Sequence, residues 1–163
     1  MLEIINDVLD FSKIEAHRLE LDSVEFPLRD SLNTIMRTLA VTASQKKLAL
    51  TCRCAPDVPN QLIGDAGRLR QILVNLIGNA IKFTEHGDVS LEVALESPVH
   101  EPCTLHVSLR DTGPGIRPDK QKAIFEAFTQ ADSSTTRKFG GTGLGLTISS
   151  RLVNLMGGNL GGE

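Results

Sequence analysis

Several residue types are scarce in this chain, and each scarcity argues against a class of function. The 163 residues include no tryptophan and no tyrosine, and only six phenylalanines, so platforms on which nucleic-acid bases stack are not expected. Lys and Arg number 17 against 20 Asp and Glu. The resulting net charge of −3 provides no electrostatic basis for binding nucleic acid or an anionic membrane surface.

Long apolar runs and paired cysteines are also missing. No stretch approaches the roughly 20 apolar residues that a membrane-spanning helix needs, and the N-terminus lacks the layout of a signal peptide. Cys52, Cys54 and Cys103 are odd in number and do not have the spacing of a zinc site or a disulfide scaffold. We expect them to be small, strand-compatible residues of a protein in a reducing compartment.

Hydrophobic periodicity predicts a mixture of helices and strands. Residues 1–21 have a helical period but no capping signal at their start, which suggests a segment cut from a longer protein. Strands are predicted in SVEF, LALTCRCAP, DVSLEVALE and CTLHVSLRD, the last two as an antiparallel pair. Further helices are predicted in LRDSLNTIMRTLAVTASQKK, DAGRLRQILVNLIGNAIKF, DKQKAIFEAF and LGLTISSRLVNLM. Because the elements do not alternate regularly as β-α-β, the order favours the α+β class.

The helix predicted from Asp65 to Phe83 has one apolar and one polar side. At about 100° per residue, Gln71, Asn75, Asn79 and Lys82 fall within an arc of about 80°. Apolar residues cluster on the opposite side, at Leu69, Ile72, Leu73, Leu76 and Ala80. The stripe suits a solvated helix face. It also suits ligand binding, because asparagine is a poor helix former and its amide oxygen can ligate Mg²⁺.

Two glycine-containing segments follow along the chain. "DTGPGI", beginning at Asp111, comes at the end of a predicted strand; it fits an ordinary turn, or a loop in which the carboxylate accepts a hydrogen bond from an exocyclic amine such as that of adenine. "RKFGGTGLGLTIS", residues 137–149, contains four glycines in six positions before a helix. That segment fits a flexible hinge, or backbone N–H groups at a helix N-terminus that bind phosphate.

The order of these motifs resembles the catalytic ATP-binding domain of sensor histidine kinases, especially the hybrid kinases of two-component phosphorelays. "NLIGNAIKFT", "DTGPGI", "IFEAF" and "GGTGLGL" resemble that family's N, G1, F and G2 boxes, and "LDFSKIEAHRLEL" resembles the end of its dimerisation and phosphoacceptor helix. The resemblance implies a Bergerat-type α/β sandwich of the α+β class, with a mixed, mostly antiparallel sheet and helices on one face. It also implies two domains, a helical segment at 1–22 and the catalytic domain at 23–163.

The resemblance further implies roles for individual residues around ATP and Mg²⁺. Asn79 would be the Mg²⁺ ligand, with Asn75 beside it and Lys82 reaching phosphate. Asp111 would bind the adenine amine, and Gly113 and Gly115 would shape its pocket. Residues 129–139 would form a lid over ATP, with Phe125 and Phe128 at its near end. The phosphate side would comprise Arg137, Lys138, Gly141, Thr142, Gly143, Leu144 and Gly145.

Asn75 separates two branches of the wider superfamily that the resemblance implies. The gyrase-like hydrolases are similar in their Asn and glycine motifs but place a Glu where Asn75 stands. A carboxylate can take a proton from water, whereas a neutral amide cannot. Asn75 therefore favours a protein-histidine kinase over a hydrolase.

Both ends of the chain depart from the family pattern. None of the four histidines has the context of the family's phosphoacceptor, so we expect the acceptor histidine to lie in another domain of the same or a partner chain. "NLMGGNLGGE" ends where family members continue into further strands, so a nucleotide-binding module without catalytic competence is the alternative. The resemblance also implies a response-regulator receiver domain as partner, a homodimeric full-length protein, and a cytoplasmic domain of a membrane-associated protein.

Overall fold

A computed structural model describes residues 2–96, 103–121, 123–125 and 143–162 of the chain. The chain forms two compact units. One unit consists of Asp22–Pro114, and the other of Met1–Leu21 together with Gly115–Glu163. Each unit is described separately below.

The Asp22–Pro114 unit contains a mixed sheet and two long helices. Its helices are α2 (Leu28–Gln45) and α3 (Ala66–Phe83), and its strands are β1 (Val24–Pro27), β2 (Ala49–Cys54), β3 (Gln61–Gly64), β4 (Asp88–Leu95) and β5 (Leu105–Asp111). Strand β4 lies between β2, which runs parallel to it, and β5, which runs antiparallel. Strands β1 and β3 form a separate antiparallel ribbon. The predicted α+β class and the antiparallel β4–β5 pair are confirmed.

The core of this unit lies between the two helices and the three-stranded sheet. On β4, Val89, Leu91 and Val93 are buried and alternate with more exposed residues, as a strand with one covered face requires. Helix α2 contributes Leu28, Leu32 and Ile35. Because α2 and α3 pack on each other and each also contacts the sheet, the unit has the two layers expected of an α/β sandwich.

Strand β3 is absent from the sequence-based prediction. It has four residues, with Leu62 half-buried and Ile63 exposed, and it pairs with β1 from Val24↔Gly64 to Pro27↔Gln61. The strand exists because β1 provides a partner, which no pattern within residues 61–64 specifies. Residues 97–102, between β4 and β5, lie outside the described residues.

The second unit contains α1 (Leu2–Glu15), a short 3₁₀ helix (Ala123–Phe125) and α4 (Gly145–Leu155). Helix α4 buries Ile148 and Leu152, and its Arg151 forms an ion pair with Glu15 and lies 4.8 Å from the centre of the Phe11 ring. These contacts attach α1 to α4.

Two helix predictions in this unit need correction. Helix α1 ends at Glu15, short of residue 21, because His17 takes a left-handed conformation with φ of 55°, which a continuing helix does not permit. The helix predicted at 119–128 is represented, within the described residues, by turns at 118–121 and the 3₁₀ helix. The i→i+3 geometry suits such short connecting pieces.

The turn before β4 depends on Gly87 in the Asp22–Pro114 unit. Gly87 has φ of +109°, and a Cβ atom there would collide with the Thr112 hydroxyl. That hydroxyl donates to the His86 carbonyl at 3.0 Å and accepts from the Asp88 N–H at 3.0 Å. The Gly87 carbonyl in turn accepts from Ala49 N–H at 3.0 Å. Only glycine fits a position with this conformation and this close an approach.

We therefore expect Gly87→Ala to lower the free energy of unfolding by about 1–3 kcal/mol, through backbone strain and displacement of Thr112. Urea unfolding followed by circular dichroism measures the change. Gly78→Ala is the matched control, because Gly78 lies within α3 and a Cβ there meets nothing within 4 Å. That variant should be neutral or gain up to about 1 kcal/mol. Equal stability of the two variants would contradict the assignment.

Candidate functional site

Helix α3 positions the first group of predicted site residues. Gln71, Asn75, Asn79 and Lys82 are all half-buried along one side of the helix. The opposite side is buried at Ile72, Leu73, Ile77, Ala80 and Ile81. The predicted apolar face was therefore partly wrong. Leu69 and Leu76 are half-buried, and Ile77 and Ile81 enter the core, because α2 and the sheet cover a wider arc of α3 than a single helical stripe.

A charged side chain holds each end of α3. At the N-terminus, Asp65 accepts the Arg68 N–H at 2.8 Å through Oδ1 and the Asp22 N–H at 3.1 Å through Oδ2. At the C-terminus, Lys46 Nζ lies 2.6 Å from the carbonyl oxygen of Ile81 and 2.8 Å from that of Lys82. An acidic N-cap and a cation at the last carbonyls both complement the helix dipole.

The last turn of α3 also presents an aromatic ring next to the polar stripe. The Phe83 side chain is 42% exposed, and Lys82 Nζ lies 5.3 Å from the centre of its ring. This distance is within the range of a cation–π interaction. The contact restricts where the Lys82 ammonium group can go.

Asp111 is the centre of a second group, at the end of β5. Its Oδ1 accepts the Gly113 N–H at 2.8 Å and lies 3.4 Å from the Thr84 hydroxyl. Within the described part of the chain, Oδ2 accepts no hydrogen bond. The residue is exposed. The group therefore presents one carboxylate oxygen that is held and one that is available to a donor.

Gly113 is required by the close packing of this group. A Cβ atom at Gly113 would lie 2.6 Å from Asp111 Oδ1 and 3.2 Å from Thr84 Oγ1, so any larger residue would displace the carboxylate. Gly115 has φ of +71° and open space around it. Glycine is favoured here by the backbone conformation and not by lack of space, since L-residues with side chains rarely take that φ.

The N-terminus of α4 carries the described part of the glycine-rich segment. Gly143 has φ of +70°, and Gly145 begins the helix. The N-cap residue is Leu144, which is 1% exposed and whose side chain has no oxygen with which to cap the helix. The first N–H groups of α4 therefore receive no side-chain acceptor from the N-cap position. The buried Thr147 hydroxyl also has no partner among the described residues.

Several predicted site residues fall outside the described residues. They are Arg137, Lys138, Gly141 and Thr142 of the phosphate side, Phe128, and the lid at 129–139. Phe125 lies in the 3₁₀ helix and is half-buried. The roles predicted for all of these residues remain predictions.

The cysteines do not form a site. None of the three forms a disulfide, and burial, followed by the neighbouring Cys54, raises the pKa of the Cys52 thiol. A thiol with a raised pKa is mostly protonated at neutral pH and is a poor nucleophile or metal ligand. In the described ranges no cluster of three or more His, Cys, Asp or Glu side chains is placed to hold a metal ion.

No helix in the described ranges combines the length and apolar character that crossing a bilayer requires. The longest helices, α2 and α3, have 18 residues each and carry polar or charged residues along one side.

Sequence reasoning missed Lys46 and Thr84, which hold α3 and Asp111 in place. Lys46 is one of two adjacent lysines after a helix and has no local signal. Thr84 ends the "NLIGNAIKFT" motif, in which only the asparagines and the lysine received a role. The partners of Lys46 and Thr84 lie 35 and 27 residues away.

Comparisons with known proteins assign the family. Residues 64–161 match the family described as histidine kinase-, DNA gyrase B-, and HSP90-like ATPase. The chain is 49% identical over 160 residues to the signal transduction histidine-protein kinase BarA of Escherichia coli K12, covering 98% of this chain and 17% of BarA. It is 49% identical to the sensor protein GacS of Pseudomonas syringae pv. syringae, covering 99% of this chain and 18% of GacS. It thus spans less than a fifth of the length of these relatives.

Solved structures agree with this assignment. Full-length ShkA in complex with AMPPNP matches with a TM-score of 0.84 and 38% identity, over 99% of this chain and 33% of ShkA. The histidine kinase AdeS of Acinetobacter baumannii matches with a TM-score of 0.71 over 93% of this chain and 66% of AdeS; at 21% identity it supports the fold alone. The fold, the motif order and these relatives lead to one conclusion: the chain belongs to the histidine kinase-, DNA gyrase B-, and HSP90-like ATPase family.

Proposed function

We propose that this domain positions ATP and a bound Mg²⁺ ion so that the γ-phosphate passes to a histidine outside the chain. The observation that carries the proposal is the Asp111 group. One carboxylate oxygen is held by Gly113 N–H and Thr84, while the other has no partner within the described residues. Such an oxygen suits the exocyclic amine of adenine, because an ionised carboxylate only accepts hydrogen bonds. ShkA, whose structure contains the ATP analogue AMPPNP, supports the same ligand here.

The phosphate end of ATP has two candidate groups of residues. In the Asp22–Pro114 unit, Lys82 offers a cation that suits phosphate. In the other unit, the N-terminus of α4, with Gly143, Leu144 and Gly145, offers backbone donors that suit phosphate. Arg137, Lys138, Gly141 and Thr142 complete the proposed phosphate side. A helix N-terminus binds anions through its unpaired N–H groups and its dipole.

The residues of α3 fit a magnesium ion bound together with phosphate. Asn79 offers a half-buried amide oxygen, with Asn75 one turn away, and hard cations accept such oxygen ligands. Phosphate oxygens and water would supply the remaining ligands, as is usual for Mg²⁺. The ion would neutralise charge on the transferring phosphoryl group.

The neutral side chain at position 75 supports phosphoryl transfer to a histidine over hydrolysis. A carboxylate there would activate water as the attacking group, whereas the Asn75 amide has no proton-accepting capacity near neutral pH. The nucleophile is then a histidine brought by another domain. The protein's contribution is the placement of the phosphate and the neutralisation of its charge, which supply most of the catalysis in phosphoryl transfer.

The rest of the protein is inferred from its relatives. BarA is named as a signal transduction histidine-protein kinase and GacS as a sensor protein, and a Dictyostelium relative that is 43% identical is named as a hybrid signal transduction histidine kinase. We therefore propose that a phosphoacceptor-histidine domain of the same or a partner chain and a receiver domain are the partners. Exposed Ile5, Val8 and Leu9 lie on one side of α1 and support a homodimeric helical bundle. We place the domain in the cytoplasm and the full-length protein at the membrane.

Asp111→Asn is expected to weaken ATP binding by about tenfold or more, because it replaces a charge-assisted hydrogen bond and turns an amide donor towards the adenine amine. Isothermal titration with ADP and ATP measures the change, and circular dichroism checks that the fold survives. Asp57→Asn, at an exposed turn residue, is the control and should bind as the parent does. An unchanged dissociation constant for Asp111→Asn would refute the adenine assignment.

Asn79→Ala should reduce ATP affinity roughly tenfold in the presence of Mg²⁺, since it removes a proposed ligand of the ion. In EDTA the variant and the parent should bind ATP equally. Asn33→Ala, on the exposed side of α2, controls for the loss of an asparagine from a helix. A loss of affinity that is the same with and without Mg²⁺ would show that Asn79 acts on the nucleotide or the fold and not on the ion.

The reaction itself is tested by adding a purified phosphoacceptor-histidine domain and labelled ATP. We expect transfer of acid-labile phosphate to the acceptor, and slower transfer with the Asp111→Asn chain when ATP is below saturation. Nucleotide binding without transfer would favour the alternative of a binding module without catalytic competence. Steady phosphate release without an acceptor would instead indicate a hydrolase of the gyrase-like branch.

A further inference from the structure

The buried residue after α3 has no assigned role in the proposed ATP site. Thr84 is 0% exposed, and its backbone N–H donates to the Ala80 carbonyl at 3.0 Å. Its side-chain hydroxyl lies 3.4 Å from Asp111 Oδ1. Asp111 is the only hydrogen-bond partner of this hydroxyl within the described residues. We infer that Thr84 is a positioning residue for adenine recognition, which acts through the orientation of the Asp111 carboxylate; the inference rests on the proposed function.

The orientation of Asp111 requires such support because the residue is the exposed last residue of β5. An exposed carboxylate can rotate about its side-chain bonds, and each rotation moves the accepting oxygen. Gly113 N–H approaches Oδ1 from the loop that follows β5, whereas Thr84 approaches it from the end of α3. Two donors from different elements restrict the carboxylate more than one donor does. Oδ2 is thereby left for the ligand.

Thr84 is itself held in place by contacts across the unit. Lys46 binds the carbonyls of Ile81 and Lys82 in the preceding turn at 2.6 and 2.8 Å. The position of the Thr84 hydroxyl is therefore set by the end of α3 and not by a loop. Gly113 leaves room for this arrangement, because a Cβ there would lie 3.2 Å from Thr84 Oγ1. A buried side chain fixed in this way is suited to hold a surface residue.

Substitutions at Thr84 can separate the effect of its hydroxyl group from the effect of its packing. Valine has nearly the shape of threonine but no hydroxyl, so Thr84→Val keeps the buried volume and removes the donor. Serine keeps the hydroxyl and loses the methyl group. If Thr84 acts through Asp111, the affected quantity is recognition of the adenine amine and not nucleotide binding as a whole.

The test compares ATP with purine riboside triphosphate, which lacks the 6-amino group. The parent chain should prefer ATP by about tenfold, since the amine then bonds to Asp111. Thr84→Val should lose roughly three- to tenfold affinity for ATP and little for the analogue, which reduces the preference. Thr84→Ser should retain the preference. If Thr84→Val does not fold, Thr84→Cys replaces it, with a reduced preference again expected because a thiol is a weak donor.

Three results would overturn the inference. They are an unchanged preference in Thr84→Val, an equal loss of affinity for both nucleotides, and a loss of preference in Thr84→Ser as large as in Thr84→Val. The nucleotide preference of the parent chain distinguishes failure of this inference from failure of the proposed function. If the parent does not prefer ATP, then Asp111 does not read the adenine amine, and the proposed site is wrong together with the inference.

Discussion

The burial of one face of α3 is the interaction on which the rest of the site depends. Ile72, Leu73 and Ile77 are almost fully buried, and α3 packs against α2 and the sheet. Because these contacts fix the rotation of the helix about its axis, the polar stripe with Asn75, Asn79 and Lys82 keeps one direction. A helix that was polar on all sides would have no such constraint.

The ends of α3 are held by charges that act on the backbone. Asp65 accepts the Arg68 N–H at the N-terminus, and Lys46 donates to the Ile81 and Lys82 carbonyls at the C-terminus. The contact of Lys46 holds the last turn of α3, which precedes Thr84. The Thr84 hydroxyl in turn contacts the Asp111 carboxylate. The proposed nucleotide site is thus supported from a helix whose position is set by the core.

The periodic elements could be predicted because local patterns carry their information. The buried alternation of β4 and the apolar side of α3 are visible in consecutive residues, and the structure confirms both elements. The four-residue strand β3, the end of α1 at Glu15 and the burial of Ile77 were not predicted. Each depends on a partner or a backbone conformation that no nearby residue specifies. The motif residues of the site were predicted by resemblance to a family, and their ligands stay predictions.

The sequence by itself determined which chemical groups are available and in what order: amides on a helix, a carboxylate after a strand, and glycines before a helix. Tertiary structure decided which of these groups meet. Thr84 and Asp111 are 27 residues apart, and Lys46 and Ile81 are 35 apart. Hydrogen bonds over such separations exist only after the core has brought α2, α3 and β5 together. The physical reason is that helical and strand periods are local, whereas the contact that orients a side chain is set by packing.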